Sequence, residues 1–445
     1  MQQIIEAEKN FFSVYYYNKY LLGGRGMIDP LKYTPKGDKK NSNYFNEYKD
    51  KIYHRRISSG LEDLYGDMCA VVVQVQTGDA LDYLSEIYAM MPYRYKASYI
   101  SPTHKFYCLV NTEESPALII MEPLNPDFKD DITRLNKMYP NSREKFNARY
   151  VGEIYKTADK DETRKILISQ DFNFHQYDMT ENKFYCNKHI SFTRLSDFTY
   201  NCVGYTQNNI YDFDSLELGQ RFYLTKEEEQ KLAKAEQFAH EKGIDKLLKG
   251  IDHMATRILA GEREDAILEF LCLSRYYFWG AYNISDMNSS TNVNRIPHGN
   301  DIKSPAKVFT ANNTPFMVNS FEGLPMPTEN FVRNYGRRMH HIAIEVVDGD
   351  HPSGVKNIDY TVGTLRDEMK IGFLANVFGE CTDIPDLKQI FSKHSPYSLL
   401  ITEYVERCHH FDGFFTKDNV AALTEAASLD EEVKEHHEIN PIIGD

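Results

Sequence analysis

The chain has 445 residues, 42% of them hydrophobic and 26% charged, which is the balance of a globular protein too long for one ordinary core. A formal net charge of −14 argues against nucleic acid or an anionic membrane as partner, and no apolar run approaches a membrane span. Met1 to Asn10 is polar and acidic, unlike a secretory leader, and the seven scattered cysteines, with no C-x-x-C, read as reduced thiols of a cytoplasmic protein.

Residues 1–65 read as an N-terminal extension with little core of its own: a Tyr-rich start, then Gly-Gly-Arg-Gly, then a polar stretch from Pro35 to Lys51. MCAVVVQVQ (68–76) is a strand by its β-branched run. DALDYLSEIYAMM (79–91) has helical spacing at Leu81, Leu84, Ile87 and Tyr88, with Asp79 as its N-cap. KFYCLVN and ALIIMEP are further strands, giving β-α-β-β. A similar order follows in 148–206, with a strand in ARYVGEIY, a helix in DKDETRKILISQ, and strands in FHQYDM, KFYCNKHISFTRL and FTYNCVGYTQ. Thr225 to Gly250 reads as a solvated connecting helix, opened by a Thr225/Glu228 capping box and stopped at Gly243.

The order recurs after Gly250 and again after Arg338. GIDHMATRIL is a strand, EREDAILEFLCLSRYYFWGAY a helix, KVFTANN and TPFMVNSF strands, MPTENFVRNYG a short helix, RRMHHIAIEVVD a strand, and NIDYTVGTLRDEM a helix capped by Asn357 or Asp359. Leu387–Ser392 and Ser398–Arg407 are the closing strands. The expected fold is α+β, with repeated βαβββ modules paired into two half-open barrels. The expected division is an extension (1–65), a first module pair (66–224), a connecting helix (225–249), a second module pair (250–430) and an acidic tail (431–445).

Glu403 lies in a strand among Leu399, Leu400, Ile401 and Val405, where a carboxylate is costly to bury unless it is paired or binds a metal. His253 and His341 lie in two other strands of the same half (341 − 253 = 88; 403 − 341 = 62), too far apart for a local zinc clip. Two imidazoles and one carboxylate on one face of a metal leave positions open for substrate and oxygen, the arrangement of non-haem Fe(II) oxygenases. Spacing alone does not pick these three from 15 histidines, because a histidine on an apolar strand is ordinarily an interior or rim residue. Strand alternation puts His341, Ala343 and Glu345 on one face and His340, Ile342 and Ile344 on the other, without deciding which face points inward. His409 and His410 are rivals from the neighbouring loop.

At these residues the sequence resembles the 4-hydroxyphenylpyruvate dioxygenase family of the vicinal oxygen chelate superfamily. DHMATRI, HHIAIEV, LKQIFSK, LLITEYVER and DGFFTKDN resemble, in order, the family's ligand strands and its Gly-Phe loop, over roughly 250–427. The resemblance implies Fe(II) ligands at His253, His341 and Glu403. It places Gln389 and Phe391 on the active-site wall and Phe414 closing it, with Ser304, Asn319 and Asn419 toward the substrate. Its departures lie at the substrate end: His340 replaces a Gln, TENFVRNY replaces a Gln-rich helix with Glu329 nearest the expected position, and Val420 replaces a Phe. The ordinary reading of Gln389, Phe391 and Phe414 is a cross-strand pair and two core rings.

The resemblance further implies an Fe(II)-dependent dioxygenase of tyrosine catabolism acting on a small aromatic 2-oxo acid and O2. It would convert 4-hydroxyphenylpyruvate to homogentisate or, as in a close relative, to 4-hydroxymandelate, in a homo-oligomer (dimer or tetramer). Rivals are an extradiol catechol dioxygenase and a non-catalytic binding protein of the same fold. The first half shows no comparable trio and is expected to be a metal-free module pair.

Overall fold

The computed structural model describes residues 28–111, 115–177, 184–297, 304–319, 325–382, 384–411 and 413–429; the Tyr-rich start and the acidic tail lie outside them. Among the described residues no helix is long and apolar enough to cross a membrane. Two eight-stranded mixed sheets make up the core. The first runs, by residue range, 190–192, 202–206, 149–157, 65–74, 117–123, 104–111, 93–100, 220–222. The second runs 36–37, 277–284, 289–295, 306–312, 248–257, 338–346, 401–408, 386–391.

The β-branched run at 70–73 forms a strand buried on both faces. Ala70 and Val72 fill the concave interior of the first sheet, and Val71 and Val73 face a core shared with the second. The first interior is closed by Phe106, Phe184, Phe192, Phe213 and Leu216. Met254, Ile342, Ile344 and Tyr404 bring the second sheet into the shared core.

The two halves match in register. Tyr65–Gln74 pairs antiparallel with Arg149–Thr157, with register shifts after Tyr65, Met68 and Val72. Leu248–Arg257 pairs with Arg338–Val346, with shifts after Leu248, Ile251 and Ala255, so the shifts fall at corresponding places. Contacts between the halves repeat in the same way. Tyr404 donates to the Met90 carbonyl at 2.8 Å, at the end of the Ala80–Met90 helix. Its counterpart Tyr205 donates to the Leu273 carbonyl at 2.5 Å, at the end of the Arg263–Leu273 helix. Each half thus supplies a hydroxyl to a helix-end carbonyl that has no partner in its own helix. The buried Arg338 donates to the Ala148 carbonyl, and its counterpart Arg149 to the Arg337 carbonyl.

The polar stretch from Pro35 enters a 21-residue helix, Lys39–Ser59, that packs on the second sheet through Phe45 and Tyr53. Its Arg56 is buried, pairs with Glu62 at 2.9 Å and donates to the carbonyls of Leu271, Ser274 and Tyr276. The capping box at Thr225 and Glu228 is present, and Gly243 takes the left-handed conformation (φ 68°) after the helix end.

Several expectations are corrected. The predicted long helix ends at Leu273, and Tyr277–Ile284 is a strand, as its aromatic run favours. TPFMVNSF contains a short helix, Phe316–Asn319. Of FHQYDM, Phe174 makes only an isolated bridge, and 178–183 lie outside the described residues. The last strand starts at Ile401, because 395–400 is a turn with Leu399 at φ 60°. Asp79 pairs with Lys145 instead of capping, and Glu122 accepts from the Gly78 amide. The Asn357–Glu368 helix is capped by Glu406, which accepts from Ile358 N at 2.7 Å, and not by Asn357 or Asp359. Cys381 and Cys408 form a disulfide with Cα atoms 5.6 Å apart, against the reading of all thiols as reduced. The fold brings together two residues 27 apart in sequence, which no local spacing signals.

Removing either reciprocal hydroxyl leaves a buried helix-end carbonyl without a donor, at a cost of about 1–3 kcal/mol. Tyr404→Phe and Tyr205→Phe are each expected to lower stability by that amount in urea unfolding. The double variant should lose close to the sum, because the two bonds share no partner.

Candidate metal centre

The inner face of the second sheet gathers three donors from three adjacent strands. His253 Nε2 lies 3.0 Å and His341 Nε2 3.1 Å from Glu403 Oε2, and the two Nε2 atoms lie 3.2 Å apart. Pairing sets this convergence. His341 opposes Ala255 two places beyond His253, and Ala343 opposes both His253 and Glu403. Glu403 is 1% exposed and His253 0%.

Both Glu403 oxygens are buried without a well-aligned hydrogen-bond donor, close as the imidazoles are. Burial would raise this carboxyl, but the two histidines hold it below its usual range. Burial would lower His253, yet Glu403 and Asp252 raise it to about 9. Two donors at right angles, each about 2.1 Å from an ion, lie about 3.0 Å apart, so these separations fit one face of a six-coordinate cation.

The outer nitrogens are fixed as metal-ligand histidines require. Asp252 Oδ1 lies 2.7 Å from His253 Nδ1, and Arg407 grips Asp252 through Nε (2.8 Å) and Nη2 (2.7 Å). Burial would raise Asp252, but Arg407 and His253 pull it below the usual carboxylate range. Arg407 Nη1 also donates to the carbonyls of Gly413 and Phe414, tying the aromatic loop to the same anchor.

His341 is the converging residue, and its Nδ1 lies 2.8 Å from His340 Nδ1. Alternation would send His340 to the opposite face. It is instead the extra residue of a bulge, since Ala255 opposes His341 and the next residue, Thr256, opposes Met339. The bulge turns His340 into the same cavity. His409 and His410 are exposed and take no part.

The cavity beside the trio measures about 50 Å³, and its walls include Arg257, His340, Gln389, Phe391, Phe415 and Leu423. Gln389 points its buried, unpartnered Oε1 into this region. The Phe391 ring lies tilted against His341, with centroids 4.8 Å apart. Phe414 is not a wall: it stands 5.4 Å behind His253, and its neighbour Phe415 reaches the cavity. Ser304 bonds Asp67 of the first half at 3.3 Å, away from the cavity. Asn419 donates to the Leu387 carbonyl at 2.6 Å and pins the Lys417–Leu429 helix, whose Val420, Leu423 and Thr424 line the cavity. The Asn319 side chain lies outside the described residues. Glu329 accepts from Phe316 N, and its neighbour Thr328 lines the cavity.

The first half carries the same frame without the donors. By register the counterparts of His253, His341 and Glu403 are Ala70, Gly152 and Gly204. The counterpart of Phe391, Phe192, is fully buried, and a Cβ on Gly204 would come within 2.6 Å of its ring.

Asp252, Arg257, Arg407 and Phe415 all lie within the segments that carry the resemblance, DHMATRI, LLITEYVER and DGFFTKDN, but the sequence reading assigns none of them a role. Asp252→Asn is expected to keep the fold and weaken divalent-metal binding about 10- to 100-fold, measured by calorimetric titration of the metal-free protein.

No family model and no curated protein matches this sequence. Among solved structures, a triple mutant of 4-hydroxymandelate synthase from Streptomyces coelicolor superposes at a TM-score of 0.54 with 13% identity, over 82% of this chain and 98% of that one. Weaker likenesses, on which nothing below rests, are a xylose isomerase-like TIM barrel/4-hydroxyphenylpyruvate dioxygenase fusion protein (TM-score 0.48, 10% identity, 82% of this chain and 53% of that one) and a halotolerant catechol dioxygenase (0.42, 10%, 80% and 92%). Element order, matched register and the first superposition together give this chain the vicinal oxygen chelate fold, the fold it shares with 4-hydroxymandelate synthase.

Proposed function

We propose that the chain is an Fe(II)-dependent dioxygenase that oxidatively decarboxylates and hydroxylates an aryl 2-oxo acid, with 4-hydroxyphenylpyruvate to homogentisate as the reference reaction. The observation that carries this reading is the convergence of His253, His341 and Glu403 on one side of a buried cavity with aromatic walls. A 2-His-1-carboxylate face suits Fe(II) among other divalent cations and leaves its other positions for ligands. When bound, the ion supplies a chelation point for the oxo acid and the electrons that activate O2.

The protein's own groups do the rest. Asp252, held by Arg407, keeps His253 in the tautomer that presents Nε2. Phe391 and Phe415 flank the position where an aryl ring would lie and exclude water. Gln389 offers the buried polar group of that wall to a substrate oxygen or hydroxyl. The cavity holds one or two waters at about 50 Å³, so an aryl acid enters with displacement of the Lys417–Leu429 helix that covers it. Residues 66–224 are read as a metal-free module pair that encloses and supports the second, with 225–249 as the connecting helix.

Anaerobic reconstitution with Fe(II) and addition of 4-hydroxyphenylpyruvate should give a weak visible charge-transfer band. Air should then bring O2 uptake, CO2 release and a hydroxylated aromatic product. Glu403→Gln is expected to lose the band and at least a hundredfold in turnover. O2 uptake on a catechol without CO2 release would replace the oxo-acid reading with an extradiol one, and a protein that binds no divalent metal would sink both.

A further inference from the structure

Arg257 ends the Leu248–Arg257 strand, four residues beyond His253 on the same inward face. At about 3.3 Å per residue that is about 13 Å along the strand. Its guanidinium lines the metal cavity together with His341, Gln389 and Glu403. It also lines the adjoining recess with Phe331, Tyr335, His340 and His394.

Arg257 is half-buried, and other buried or half-buried arginines are matched to acceptors. Arg56 and Arg275 share Glu62, Arg407 holds Asp252, Arg337 pairs with Glu262, and Arg149 and Arg338 donate to carbonyls. Arg257 lies over the Phe331 ring at 5.0 Å, and among the described residues no carboxylate or carbonyl accepts its N–H groups. Burial alone pulls its pKa down to about 9, with no acid beside it to oppose the shift.

The surroundings add donors and no counter-charge. Both nitrogens of His394 are buried and unbonded, and His340 faces the same space. The nearby acids are engaged: Glu329 by Phe316 N, Glu262 by Arg337, and Glu403 by the histidine pair. A half-buried guanidinium without an acceptor is available to a ligand, and its planar fork matches one ligand group in particular, a carboxylate held by two parallel hydrogen bonds.

We propose that Arg257 is a specificity-determining residue that binds a second carboxylate at the far end of the substrate, so that this site takes an aryl 2-oxo acid carrying an acid group on its ring. The inference rests on the reading of His253, His341 and Glu403 as the metal face, and it names what lies opposite that face. The substrate would span the cavity from the metal end to Arg257, its ring between Phe391 and Phe415. Arg257 also stands where the sequence departs from the resembling family, among His340, Thr328 and Phe331.

The test is equilibrium binding without oxygen. 4-Carboxyphenylpyruvate, 4-hydroxyphenylpyruvate and phenylpyruvate are titrated into metal-free and Fe(II)-loaded protein, each as the full chain and as Arg257→Gln and Arg257→Lys. The carboxylated acid should bind the loaded protein about 10- to 100-fold more tightly than phenylpyruvate. Arg257→Gln should erase that preference, the two acids then binding within a few-fold of one another, and Arg257→Lys should restore part of it. Equal binding of the three acids, or a preference that survives Arg257→Gln in a protein with unchanged thermal unfolding, would overturn the proposal. An Arg257-dependent preference that Fe(II) does not strengthen would keep the proposal and sink the metal reading beneath it.

Discussion

A carboxylate sealed from water sets the terms for the second half of this molecule. Glu403 has apolar residues on either side along its strand and almost no exposure, so its charge is tolerable only with positive partners at close range. Two imidazoles from two other strands come within hydrogen-bonding distance of one of its oxygens. One of them leans on Asp252, and Asp252 leans on Arg407, which sits in Glu403's own strand. The chain of charge therefore closes on itself across the sheet. It also sets the sheet's register, because a slip of one residue would turn every member to the other face.

The ligand trio was legible as residue types, and the resemblance singled out the three. What the sequence hid follows from departures from regular geometry. His340 belongs to the opposite face by strand alternation and reaches the cavity only because a bulge inserts it. The helix at Lys39–Ser59 has little amphipathic pattern, since it anchors through two rings and one buried arginine and not through a stripe. Caps were misread where the acceptor is remote in sequence: Glu406 caps a helix 48 positions away, and Glu122 does the work expected of Asp79. Periodicity records local fit, and these interactions are made by tertiary structure.

The two halves borrow from one another. A tyrosine from each last long strand satisfies the end of the other half's first helix, and an arginine from each satisfies the other's chain. The shared core contains residues of both sheets and both helices. Stability in the half that gathers His253, His341 and Glu403 thus depends on a partner that lacks that trio. That division lets one half hold a polar, charged interior while the other is filled with hydrocarbon.

The bulges of the two halves match, and Gly152 and Gly204 stand where the second half has His341 and Glu403. Side chains placed there would not make a second site. A Cβ at Gly152 overlaps the Cys202 carbonyl, and one at Gly204 meets the ring of Phe192, which has settled into the space. Each donor introduced there would clash before it could reach a cation. The packing of the first half thus bars it from copying the second half's trio by substitution at those positions alone.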